Sequence, residues 1–168
     1  ADELIAELTD LAKQEISKRF TDTPLEELDR RAHAIALGAL KFYMLSFKPQ
    51  SDMVFDPQKS IAFVGRTGPY VQYTYARVSS IIAKAPHKIT LRGLDFSVLT
   101  DEHERTVINL LSRYPNVVAS AAAEHDPSLI AEYVYQLSKE FSALYEQVSI
   151  LNAEPAQLKS RLALCQAV

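Results

Sequence analysis

The sequence predicts an all-α fold, a bundle of helices, on three observations. Apolar residues recur in steps of four and three, most plainly at Ile130, Val134, Leu137, Phe141, Leu144, Val148 and Leu151. That is the repeat of a helix laying one stripe against its neighbours. Capping residues stand just ahead of prolines at Thr23-Pro24, Thr67 with Pro69, and Asp126-Pro127, the order in which helices begin. Only 4 of the 168 residues are glycine, too few for the tight turns of an all-β fold. An apolar content of 48% is that of a globular chain able to bury a core.

In chain order, residues 1 to about 20 read as an amphipathic helix. Leu4, Ile5, Leu8, Leu11, Ala12 and Ile16 make its apolar stripe, and Glu3, Glu7, Lys13 and Lys18 face water. Thr23-Pro24-Leu25-Glu26 reads as a capping box worth ~1 kcal/mol, opening a helix that runs to about Ser46. Its stretch 32–40 is nearly apolar all round and rich in small residues, which predicts close packing and burial on most sides. Phe42, Tyr43, Met44 and Phe47 are expected to extend the core. Residues 48–64 read as a crossover with short helical turns, because Pro49 and Pro57 break helices. Ile61-Ala62-Phe63-Val64 suits a short strand or an extended buried segment.

Next comes Gly65-Arg66-Thr67-Gly68-Pro69, a sharp turn into a helix that runs to about Lys84. Val71, Tyr75, Val78 and Ile82 are its expected buried stripe. Tyr70, Tyr73, Arg77 and Lys84 form another face. Rings stack on bases and cations meet a phosphate backbone, so this face suits nucleic acid. It equally suits a solvated helix whose tyrosines rest on neighbouring helices. Thr100-Asp101-Glu102 caps the following helix, with Val107, Leu110 and Leu111 inward. Tyr114-Pro115 is expected to end it and open another, with Val117, Val118, Ala121 and Ala122 inward. Beside the stripe after Asp126-Pro127 lie Ser138, Ser142, Tyr145 and Ser149, small hydroxyls around one tyrosine that would admit a neighbouring helix or a nucleotide. The last helix starts near Pro155 and carries Leu158, Leu162 and Cys165. It has no stop signal, which predicts fraying beyond about Leu162.

Charge singles out the middle of the chain. Eighteen basic and 21 acidic residues leave a net charge of -3. Residues 57–94 contain no Asp or Glu but hold Lys59, Arg66, Arg77, Lys84, Lys88 and Arg92, a charge of +6 against -9 for the rest. A basic island in an acidic chain points to a localised anionic partner. Catalytic chemistry is not evident. His33, His87, His103 and His125 lie on separate segments without metal-ligand spacing, and His33 reads as a satisfied core histidine. Cys165 has no histidine nearby and reads as a buried structural thiol. Being alone, it cannot close an internal disulfide, which fits a reducing, cytoplasmic setting. Gly65 and Gly68 lack the Lys-Ser/Thr ending of a phosphate-binding loop. No run approaches the ~20 apolar residues that span a bilayer.

Three strings then carry a resemblance: Ala-Ile-Ala-Leu-Gly-Ala-Leu-Lys-Phe-Tyr at 34–43, Val-Phe-Asp at 54–56, and Gly-Pro-Tyr-Val-Gln-Tyr-Thr-Tyr-Ala-Arg at 68–77. Together they resemble the arginyl-tRNA synthetases, class I enzymes. The second half of the chain is similar to their C-terminal helical anticodon-binding domain, the DALR type. The segments 131–137, 141–145 and 160–164 fit in order, so the likeness covers essentially all 168 residues.

The resemblance implies residues 1–66 as the helical tail of a catalytic half, lying along the inside of the tRNA. It implies residues 67–168 as the anticodon-binding bundle. It also implies that the ATP motifs and the arginine pocket precede Ala1, that a C-terminal end beyond Val168 helps form the anticodon site, and that the chain is a fragment truncated at both ends. No catalytic residue, cofactor or metal ligand is expected within these residues; ATP and magnesium belong to the parent enzyme. The implied partners are arginine tRNAs, met at the anticodon loop and inner stem, and the parent's own catalytic half. By motif, the anticodon-contacting positions fall on Tyr70, Tyr73 and Arg77, with Tyr145 from the later helix and Lys84 on the same row. A structural helical module that docks protein stays open as the alternative.

Overall fold

Helix α1 (Asp2–Ser17) buries Leu8, Ala12 and Ile16, spaced four apart, and carries Asp2 and Glu3 in its first turn, where the helix dipole favours them. It packs antiparallel-bundle fashion on α2 (Leu25–Leu45), whose buried row is Ala32, Ala36 and Ala39. Alanine along the buried row of α2 lets the two axes approach closely, and Lys13 reaches Asp29 across the pair at 2.7 Å. This computed structural model describes residues 2–20, 22–86 and 93–168. Among them are seven α-helices, one 3-10 turn and no strand.

Helix α2 departs from expectation in three ways. Its N-cap is Pro24, with ψ of 143°, and no side chain caps it. The helix enters one residue late, so the Thr23 hydroxyl is out of register with the first free amides. Only one face is buried: His33 and Ala34 are exposed, so His33 is not a core histidine. Met44 is 50% exposed, while Phe42, Tyr43 and Phe47 are half-buried. The small residues that suggested burial on all sides serve instead a close approach on one side.

The crossover holds one short helix, α3 (Pro57–Ser60), capped by Asp56, which accepts from the Lys59 backbone N–H at 3.1 Å. Tyr43 anchors it, with its ring edge-on to Phe55 at 4.8 Å and its hydroxyl donating to the Val54 carbonyl. Residues 61–64 form no strand; Ile61 is buried and Val64 is 75% exposed.

Helix α4 (Gly68–Ala83) begins as expected. The Thr67 hydroxyl oxygen accepts from the Tyr70 N–H at 3.3 Å and donates to the Ala62 carbonyl. Its start crosses α2 at a glycine pair. An added Cβ on Gly68 would fall on the Gly38 carbonyl and lie 2.9 Å from the Ala39 Cα. The nearest atoms to a Cβ on Gly38 would be those at the end of the Gln72 side chain, which donates to the Ala34 carbonyl at 3.0 Å. Backbone cannot yield as a side chain can. Gly68→Ala is therefore expected to destabilise by ~1–3 kcal/mol through overpacking. Gly38→Ala should cost less, since Gln72 can swing aside and alanine is the better helix former. Melts of the two variants check the order.

The buried row of α4 is Thr74, Val78 and Ile81, one position round from the expected stripe. Tyr75 is 75% exposed and Ile82 half-buried. After the 3-10 turn Phe96–Val98 comes α5 (Glu102–Glu124), opened by a capping box between Asp101 and Glu104. It runs unbroken through Pro115, where two helices were expected. The missing proline N–H frees the Leu111 carbonyl; Leu111 is half-buried and residues 112–116 after it are all exposed, so that carbonyl can turn to water. Val117 and Ala121 are half-buried and Val118 and Ala122 exposed.

Helices α6 (Ser128–Gln147) and α7 (Pro155–Ala167) complete the bundle. Asp126 accepts from the Ser128 N–H at 2.9 Å just ahead of α6. Leu137, Phe141, Leu144 and Val148 are buried as the repeat predicts, and α6 stops at Gln147, before Leu151. Past Leu162, where fraying was expected, α7 runs on to Ala167 with Ala163, Leu164 and Cys165 buried. Two apolar cores result. One joins α1, α2 and Ile61; the other joins α4 to α7.

Candidate nucleic-acid interface

Helix α4 lines one side of a cleft of about 550 Å³ with Tyr73, Arg77, Ser80 and Lys84. The end of α6 and the α6–α7 connection line the other with Tyr145, Ser149 and Asn152. Four of the five expected site residues, Tyr73, Arg77, Lys84 and Tyr145, are thus brought together. Their spacing on α4 is the helical one: steps of four and seven put Tyr73, Arg77 and Lys84 on one face.

Arg77 is the centre of the cluster. Its guanidinium carbon lies over the Tyr73 ring at 4.7 Å and over the Tyr145 ring at 4.4 Å. It also donates to the Tyr73 hydroxyl at 3.0 Å. One cation therefore ties a ring of α4 to a ring of α6, an arrangement worth ~0.5–2 kcal/mol for each cation–π contact, depending on desolvation. Both rings stay close to half exposed, 49% for Tyr73 and 44% for Tyr145. They are held at a fixed separation yet open to a ligand. Among the described residues lining the cleft there is no carboxylate.

Tyr70 sits elsewhere. It is half-buried, with its ring against Tyr135 at 5.8 Å, and does not line the cleft. The hydroxyl row splits: Ser149 lines the cleft, whereas Ser138 is buried toward α4 and α5. Of the basic island, Lys59 pairs with Asp56 at 3.4 Å and Arg66 with Glu132 at 3.0 Å. Lys88, Arg92 and His87 lie outside the described residues. Among the described residues of the island, Arg77 and Lys84 line the cleft.

Sequence reading missed Asn152 and the connection around it, for no local pattern marks a loop as a wall. It also missed the buried pair Glu104–Arg161, 2.6 Å apart and 57 positions apart in the chain. Cys165 is 1% exposed, and burial pushes its thiol up to about 12, far from a nucleophile's range. Among the described residues no group of His, Cys, Asp or Glu is placed to hold a metal ion, and no helix is long and apolar enough to cross a membrane.

Comparison with known proteins gives a consistent result. Residues 71–168 match the family described as the DALR anticodon binding domain. The chain is 39% identical over 174 residues to an arginine–tRNA ligase of Treponema pallidum, covering 100% of this chain and 30% of that protein. It is 41% identical over 157 residues to an arginine–tRNA ligase of Flavobacterium psychrophilum, covering 92% of this chain and 26% of that one. Its fold is similar to that of the arginyl-tRNA synthetase of Thermus thermophilus, with a TM-score of 0.88 at 31% identity over 99% of this chain and 28% of that one. The enzyme of Plasmodium falciparum gives a TM-score of 0.84 at 27% identity over 98% of this chain and 29% of that one. The chain thus spans less than a third of the length of the relatives it matches.

Proposed function

The chain belongs to the DALR anticodon-binding domain family, and from that premise we propose that it docks the anticodon arm of arginine tRNAs through the α4–α6 cleft. The observation that carries the reading is the Tyr73–Arg77–Tyr145 stack. Two half-exposed rings fixed by a cation, in a cleft whose described lining has no carboxylate, are what unstacked bases and a phosphate backbone need. Tyr73 and Tyr145 offer ring faces to bases. Arg77 offers the N–H groups it does not spend on Tyr73, and Lys84 a point charge at the end of α4. Tyr70, one helical turn before Tyr73, lies outside the cleft against Tyr135 and is not part of the proposed docking face.

The relatives' names point to arginine activation by ATP and its transfer to tRNA as the activity of a longer parent. The residues present do not fit an ATP–magnesium site, having neither a phosphate-binding loop nor a metal-holding cluster among those described. That chemistry is assigned to the parent's catalytic half, in the cytoplasm. Residues 1–66 are read as the tail of that half and 67–168 as the binding bundle, a division supported by the two separate apolar cores. The test is binding of an arginine-tRNA anticodon stem-loop over a salt series. Affinity should fall steeply with salt through counterion release. A salt-insensitive association would favour the protein-docking alternative, since apolar burial responds little to salt. The isolated chain should give no arginine-dependent ATP–pyrophosphate exchange; exchange above blank would overturn the assignment of the active site to the missing half.

A further inference from the structure

We propose that Arg161 is a positioning residue for the cleft, holding the α6–α7 connection where it forms one wall; its bearing on RNA rests on the function proposed above. The Nε of Arg161 donates to one carboxylate oxygen of Glu104 at 2.6 Å, and an Nη donates to the Ser149 carbonyl at 3.0 Å. Glu104 is fully buried, and its other oxygen accepts from the Asp101 backbone N–H at 3.0 Å. The carboxylate is therefore fixed by the start of α5, and the guanidinium is fixed by the carboxylate. What the guanidinium then fixes is a carbonyl in a segment outside any helix.

That segment is the wall. Ser149 to Asn152 line the cleft across from Arg77. Residues 148–154 belong to no helix, and the connection's own anchors are the buried side chains of Val148 and Ile150. A side chain can be buried while the backbone around it still shifts. The Arg161 contact holds the backbone itself, at the residue that follows the Tyr145 turn. Arginine suits the task because its rigid fork presents separate N–H donors in fixed directions. Lysine would carry the charge to Glu104 on a single nitrogen that cannot occupy both donor positions.

That difference separates positioning from support of the fold. Arg161→Lys keeps the buried charge pair, so it should melt close to the native protein. Its backbone 15N order parameters at Ser149–Asn152 should fall from about 0.85 to below about 0.6, the values of rigid and flexible backbone. Its affinity for the arginine-tRNA anticodon stem-loop should weaken about tenfold, the weight of one ordinary hydrogen bond. Unchanged order parameters would overturn the proposal, and so would a loosened connection with native affinity. Should Arg161→Lys fail to fold, the pair Glu104→Gln with Arg161→Gln removes both charges together and is read in the same way. If the native protein binds no stem-loop, the proposed function fails, and the order parameters alone decide whether Arg161 positions the connection.

Discussion

Arg161→Met is expected to remove about 3–5 kcal/mol of folding stability, because it leaves a buried carboxylate without its cation. Glu104 is 0% exposed and the Arg161 side chain 13%. Coulomb attraction and the hydrogen bonds from Arg161 and the Asp101 N–H offset the desolvation of Glu104 in the native protein; without the guanidinium, the Asp101 bond alone stands against it. Against a typical stability of ~5–15 kcal/mol, such a loss is a large fraction of the whole. Replacing both, Glu104→Leu with Arg161→Met, should recover much of it, since no charge then stays buried, although the Asp101 N–H loses its acceptor. The exposed pair Arg31–Glu27, one helical turn apart, is the control: Arg31→Met should change stability by no more than ~0.5 kcal/mol. Denaturant titrations of the four proteins measure all this, and a loss below ~1 kcal/mol for Arg161→Met would mean that the pair behaves like a surface one.

The contrast between this pair and the helix caps explains what the sequence made legible. A cap is local. The Thr67 and Asp101 caps are read from residues adjacent in the chain, and both form; the return bond from Glu104 that completes the second as a box was not among the expectations. The α6 stripe is also local, with a period that excludes other arrangements. The Tyr73–Arg77 relation follows from spacing on one helix. Its union with Tyr145 does not; two stripes had to be suspected separately, and only the packing of α4 on α6 joins them. Arg161 had no local signal at all, being an ordinary charged residue until α7, packed on α4 and the 3-10 turn, brings it to Glu104.

The failures have physical reasons of the same kind. On α4 the expected stripe took in Tyr75 on its helical spacing from Val71, Val78 and Ile82. Thr74 is nevertheless 3% exposed, since its hydroxyl donates to the Tyr70 carbonyl at 3.2 Å and so carries no unmet polar group into the core. Pro115 was expected to end a helix at a cost of ~3 kcal/mol. In the fold, α5 packs on α6, with Leu110, Leu111 and Val117 half-buried on either side of the proline, and that packing outweighs the lost bond. At Thr23 a one-residue shift in the entry of α2 was enough to void the capping box.

Tyr73→Ala and Arg77→Ala should weaken RNA binding by different physics, and the difference is measurable. Loss of the Tyr73 ring removes a stacking face, expected to cost ~1–3 kcal/mol with little change in the salt slope. With its carbon over two rings, what Arg77 has left for a ligand is its N–H edge. If that edge meets a phosphate, Arg77→Ala should lower the salt slope by about one unit and weaken all sequences alike. If it meets a base edge, the slope should hold and discrimination between anticodons should relax. Arg77→Ala should also free both rings, so its effect should exceed that of Tyr73→Ala, and the two losses should not add, since each removes part of one stack. Val78→Ala, on the buried side of the same helix at 6% exposure, is the counterpart. It should destabilise the fold by ~1–3 kcal/mol through lost burial and a small cavity, and leave affinity intact in the folded protein. Stem-loop titrations at several salt concentrations, with melts of each variant alongside, separate these outcomes. Should the Tyr73 and Arg77 variants unfold while residual RNA affinity stays native, the stack is part of the core and the docking face lies elsewhere.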